Sequence, residues 1–135
     1  MGKLSGRGIV LVLAGVLLFG SGWLLGQQSR TPQRSLLHVF AFAPLDGATT
    51  KDYAAFKKAT ADMVGKIPGL RKVWVGELRR PIYSGGQSLM YGVAMEFDDA
   101  KALDGYARNP VHTAWESVYE KVRVEGTTTF DILGE

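Results

Sequence analysis

The rhythm of hydrophobic and polar positions changes several times along the chain. Residues 8–29 carry no charge, and residues 9–25 are almost wholly apolar. Residues 27–35 are polar, contain Pro32 and read as a linker. Strict alternation then begins over residues 37–42, with His38, Phe40 and Phe42 on one face and Leu37, Val39 and Ala41 on the other, which predicts a strand. Residues 44–48 predict a turn. Thr49 or Thr50 can cap a helix reaching about Lys66, because Tyr53, Phe56, Met63 and Ile67 follow a 3.6-residue period, and Pro68-Gly69 stops it. Residues 70–78, built on Val73, Trp74 and Val75, predict a second strand. Residues 79–87, with Pro81 and Gly85-Gly86, predict a hairpin-type connection, and residues 88–97 a third strand. Asp98 and Asp99 suit the start of a helix running to about Arg108. Asn109-Pro110 restarts it as a cap followed by proline at the first helical position, with Val111, Trp115, Val118 and Val122 as its apolar stripe. Residues 123–132 predict the last strand.

The order β-α-β-β-α-β is the ferredoxin-like α+β arrangement. Helices cover one face of such a sheet. The other face carries apolar side chains that a chain this short does not cover alone, so the expectation is a homodimer joined through the sheet, the two sheets closing into an α/β barrel. The domain boundaries follow: 1–26 for the apolar segment, 27–35 for the linker, 36–135 for the folded domain.

Twenty-two uncharged residues in a helix span about 33 Å, close to the roughly 30 Å of a bilayer core. Two readings stay open. Lys3 and Arg7 followed by small residues at Gly20-Ser21-Gly22 suit a cleaved signal peptide, which predicts an exported domain. The length of the apolar run and the absence of an Ala-x-Ala site favour an uncleaved signal anchor: one apolar helix spanning the membrane through residues 9–25. Trp23 stands where an interfacial aromatic is expected, and Gly22 and Gly26 have the spacing of a helix-dimer motif. Lys3, Arg7 and the α-amino group before the run, against Arg30 and Arg34 after it, give a slight positive excess that predicts a cytoplasmic N-terminus and a domain on the extracytoplasmic side of a single-pass membrane protein.

Charge sharpens this picture. The chain has 16 Lys and Arg against 13 Asp and Glu, but Lys3, Arg7, Arg30 and Arg34 precede every acid, so the domain itself carries a formal charge of −1. A near-neutral domain argues against nucleic acid. The nearest basic group, Lys66, Arg71, Lys72, Arg79 and Arg80, is interrupted by Glu77 and reads as solvated surface. With no cysteine, the chain has no disulfide, thiolate chemistry or lipoprotein anchor. No metal or cofactor is expected: Asp98, Asp99 and Asp104 are explained as helix-start acids, and Gly85-Gly86 as a hairpin turn rather than a phosphate loop.

The candidate chemistry lies with the two histidines, His38 and His112. Tyr106-Ala-Arg-Asn-Pro-Val-His112 follows the third strand and its helix, and His38 stands on the first strand. Together with Ile67-Pro-Gly69, Val75-Gly76, Phe97-Asp98-Asp99 and Phe130-Asp131, this resembles the stress-responsive α/β-barrel family, Dabb, over about residues 36–132. The resemblance implies a homodimeric barrel. It also implies, from a plant member that cyclises a polyketide by intramolecular aldol chemistry, an acid/base pair at Tyr106 and His112, with His38 matching the first-strand histidine as a ligand contact. Asn109 departs from the family string, which often has histidine there, and cannot titrate.

Physical chemistry is compatible with that pair. The dipole at a helix start disfavours imidazolium, which keeps His112 neutral as a base, and Tyr106 can donate to a carbonyl that becomes enolate-like. Structural roles stand beside these. His112 can bond a backbone carbonyl and lock its helix to the sheet, Tyr106 can be a core aromatic, Asn109 is sufficiently explained as a cap, and His38 can be a packed or interface residue. The expected function is a membrane-tethered, dimeric Dabb-like domain that binds a small apolar ligand or serves a stress-related role. The alternative is a cyclase- or lyase-type enzyme on a polyketide-like substrate with His112 as base and Tyr106 as donor. A third class, cofactor-free oxygenation, occurs on similar dimeric folds, but no residue here singles it out.

Overall fold

The computed structural model describes residues 34–134. The expected apolar segment at residues 9–25 lies outside the described residues, among which no helix is long and apolar enough to cross a membrane. The elements are β1 (Leu36–Phe42), α1 (Thr50–Ala61), β2 (Leu70–Ser84), β3 (Gln87–Phe97), α2 (Ala100–Tyr106), α3 (Pro110–Tyr119) and β4 (Thr128–Leu133). The strands form one antiparallel sheet in the order β2-β3-β1-β4, the expected ferredoxin-like α+β fold.

Local chemistry explains where the elements begin and end. Thr49 caps α1 and makes a capping box with Asp52: each side chain accepts from the other's backbone N–H. The helix stops at Ala61, short of the expected Lys66. Gly65, at φ +82°, cannot continue a right-handed helix, and the chain winds on in turns that still bury Met63 and Ile67. β2 runs past Leu78 to Ser84, because the hairpin turns only at Gly85-Gly86, both at positive φ. Pro81 is accommodated because β2 is an edge strand and its register with β3 shifts between Glu77 and Ile82. The last strand starts at Thr128, not at Arg123, since Gly126 at φ +112° breaks the extended run.

The alternation on β1 sorts the two faces as expected. Leu36, Phe40 and Phe42 join Val93, Met95 and Phe97 of β3 beneath the helices, and Phe56, Trp115, Tyr119 and Val122 close the core from above. On the other face Val39 lies opposite Ala94 and Phe130, and the large side chains of Trp74, Phe130 and Ile132 are all at least 44% exposed. This face holds a shallow, mainly apolar concavity of about 720 Å³.

Gly69 ties α2 to the sheet. It sits at φ +78°, its carbonyl accepts from the Asp98 N–H at 2.8 Å, and a Cβ there would collide with the Ala102 Cβ. Gly69→Ala is therefore expected to destabilise the fold by about 2 kcal/mol or more, read as a lower urea midpoint at unchanged m-value. A shift below about 0.5 kcal/mol would mean that the turn relaxes freely.

Candidate functional site

The site is assembled by three short sequence devices. Asn109 Oδ1 accepts from the Val111 N–H at 2.9 Å, and Pro110 follows at the first helical position, so α3 starts sharply. That start places His112 in the first turn, with Trp115 and Tyr119 on the same face at helical spacing. The Asn109 N–H donates to the Tyr106 carbonyl at 3.0 Å, which joins the end of α2 to the start of α3 and folds Tyr106 back toward His112. The alternation of β1 turns His38 to the helix side.

These devices bring all three residues singled out in the sequence to one open cavity of about 260 Å³. The rings of Tyr106 and His112 stand 4.2 Å apart between centroids, and those of Tyr106 and His38 stand 5.8 Å apart. Phe40, Trp115 and Tyr119 form the aromatic wall. Asn109 does not line the cavity; it acts as a cap. Of the three acids expected at the start of α2, Asp99 is the N-cap and Asp98 pairs with Arg71, whereas Asp104 lies beyond the first turn of the helix and is not a helix-start acid. Among the described residues no group of three or more His, Asp or Glu side chains could hold a metal ion.

Two buried polar atoms here, Tyr106 Oη and His112 Nδ1, have no hydrogen-bond partner among the described residues. Burial pushes the Tyr106 hydroxyl well above its ordinary value, and Glu116 and Tyr119 add to the shift, so it is a donor and not a phenolate. Burial lowers the His112 pKa. Glu116 and the nearby Ala107 carbonyl, which lies outside hydrogen-bond geometry, pull the other way, and His38 adds to the lowering. A neutral imidazole beside a neutral phenol can accept or remove a proton while the phenol donates to an oxygen.

Sequence reasoning missed the partner of His38. The His38 Nδ1–H donates to Asp131 Oδ1 at 2.7 Å across directly paired positions of β1 and β4. The carboxylate can only accept, so it fixes the tautomer and leaves Nε2 as the acceptor of the neutral ring. The available signal was an acid on the inward parity of β4, with Phe130 and Ile132 on the outward one. A second missed support is Thr60, fully buried on α1: it donates to the Phe56 carbonyl and accepts from Trp115 Nε1, both at 2.8 Å. This bond holds the Trp115 indole in the cavity wall.

Comparison with known proteins follows the same boundaries. The model of the stress responsive A/B barrel domain, Dabb, matches residues 36–132. Among functionally curated proteins, none matches significantly. A Dabb-family protein with a ferredoxin-like fold from Mesorhizobium loti is 19% identical, with a TM-score of 0.55, over 74% of this chain and 96% of that one. A dimeric ferredoxin-like protein of unknown function from Jannaschia is 21% identical, with a TM-score of 0.60, over 73% and 97%. Hydroxynitrile lyase from Passiflora edulis is 9% identical, with a TM-score of 0.62, over 77% and 96%. At these identities the likeness to the solved structures is one of fold.

Proposed function

The chain belongs to the stress-responsive A/B barrel (Dabb) family, and from that premise we propose that it is a membrane-tethered homodimer whose cavity beside α3 binds a small, largely apolar ligand through an oxygen function. The observation that carries the ligand reading is that Tyr106 and His112, which line one aromatic-walled cavity, each hold a buried polar atom, Oη and Nδ1, without a partner among the described residues. Leaving such an atom unpaired costs about 1–3 kcal/mol, which a ligand carbonyl accepting from Tyr106 would recover. His38, oriented by Asp131, supplies a further polar contact at the same cavity.

The test uses 4-phenyl-2-butanone, an apolar body with one ketone. Wild type should bind it measurably by calorimetry, and Tyr106→Phe should weaken binding about tenfold by removing only the donor. Equal affinity in the two proteins would remove Tyr106 from the site.

A second reading, a cyclase- or lyase-type enzyme on a polyketide-like substrate, is favoured by the 4.2 Å approach of a neutral His112 to Tyr106. His112 would take a proton from the carbon next to a carbonyl whose oxygen accepts from Tyr106. Exchange of that ketone's α-hydrogens in D2O, lost in His112→Gln while binding persists, separates catalysis from binding alone.

Support for self-association is the exposed apolar sheet face, together with the dimeric state described for ferredoxin-like neighbours from Jannaschia and Bacteroides fragilis. The tether rests on the apolar run at residues 9–25. Full-length protein should stay with the membrane fraction through an alkaline carbonate wash, and deletion of residues 1–26 should release it. Recovery of a soluble mature protein lacking about the first 20–26 residues, the signal-peptide range, would instead establish export after cleavage.

A further inference from the structure

Arg123 is the one cation lining the cavity that has no role so far. Its backbone is held on both sides: the Leu45 N–H donates to the Val122 carbonyl and the Val124 N–H to the Ala43 carbonyl, each at 2.9 Å, and Arg123 itself bridges to Pro44. The guanidinium lies over the Tyr119 ring, 4.7 Å from its centroid. Among the described residues its buried Nε has no partner, and its only side-chain hydrogen bond is a long one, 3.5 Å, to Thr127 Oγ1. Among the described residues no carboxylate lies within ion-pair distance of it. Glu120 and Glu125 share a separate surface depression with it, and both are exposed and therefore screened. Packing explains the stacked guanidinium plane; it does not explain a buried donor left unpaired, which costs more for a charged group than for a neutral one.

Position gives the ligand its shape. His112, Trp115 and Tyr119 descend one face of α3, a rise of about 10 Å from His112 to Tyr119, and Arg123, stacked on Tyr119, follows the turn after the helix and so lies at the end of the groove away from His112. β4 and the residue before it repeat the order: Asp131 stands beside His38, Thr129 opposite Phe40, and Thr127, just ahead of the strand, beside Arg123. Acids, Asp131 and Glu116, attend the histidine end, and the free cation attends the other. Resting on the ligand-binding reading above, we propose that Arg123 is the anion-binding residue of this groove and that its ligand class is an elongated oxo carboxylic acid, with the carbonyl at Tyr106, the apolar body along Trp115 and Tyr119, and the carboxylate at Arg123. A planar fork of donors is the side chain suited to a carboxylate.

The experiment titrates the full chain, in non-ionic detergent, with 5-benzoylpentanoate and with its neutral amide. The acid should bind wild type about tenfold or more tightly than the amide, the size expected of a charge-assisted contact. Arg123→Gln should abolish that preference and leave the amide's affinity unchanged, so the amide reports on folding within the same variant. Tyr106→Phe should weaken both ligands and preserve their ratio. Equal binding of acid and amide by wild type overturns the Arg123 assignment alone, as does an equal loss of both in Arg123→Gln. Absence of binding by either ligand overturns the ligand-binding reading and this inference with it.

Discussion

Trp115→Ala is expected to lose about 3–5 kcal/mol of stability, the range for removing a buried tryptophan or phenylalanine. Trp115 is 5% exposed. Its indole stacks on Tyr119 at 4.8 Å and on His112 at 5.4 Å, meets Phe40 edge-on at 6.0 Å, and donates to Thr60 at 2.8 Å. The substitution therefore opens a cavity between α1 and α3 and strips fully buried Thr60 of a partner. A loss of this size is a large fraction of the 5–15 kcal/mol that holds a typical domain together. Trp115→Phe separates the terms: it retains most of the volume and forfeits the hydrogen bond, for an expected cost of about 1–2 kcal/mol. Urea denaturation of the chain truncated before Gln27, at fixed protein concentration, measures both. A cost below about 1 kcal/mol for the alanine variant would mean that α3 is not held by this residue.

Val39→Asp is expected to turn a dimer into a monomer while leaving the fold intact. Val39 is on the central strand β1, opposite Ala94 and Phe130, on the face away from the helices. In a face-to-face dimer an aspartate there would be buried without a counter-charge, at a cost of several kcal/mol per protomer. In the monomer it faces water and costs little. Light scattering on the truncated chain should show the protein mass halve with the far-ultraviolet circular dichroism unchanged. A dimer that persists would place self-association elsewhere on the surface.

Much of this architecture was legible in the chain. The alternation across residues 37–42 assigned His38, Phe40 and Phe42 to one face, as found. Thr49 and Asn109 announced their helices because capping is a local rule, written in a few adjacent residues. The errors arose where tertiary context decides. Pro81 reads as the end of a strand unless it is known that β2 lies at the sheet edge. Residues 62–67 keep a helical apolar period because Met63 and Ile67 are buried, although Gly65 has already turned the backbone.

The candidate site was half visible. Tyr106 and His112 are six residues apart and were nameable together. Asp131 lies 93 residues from His38, and only the β1–β4 register joins them. Arg123 looked like the first residue of a strand. Its importance depends on Pro44, Thr127 and Tyr119, which pin it, hold it and stack beneath it.

The most direct test of the ligand site is a crystallographic soak of the domain with small aromatic ketones. The expected result is density in the groove beside α3, with the ketone oxygen within about 3 Å of Tyr106 Oη and the ring against Trp115 and Tyr119. Ketones gathered in the open sheet concavity, with the Tyr106–His112 groove free of them, would contradict it.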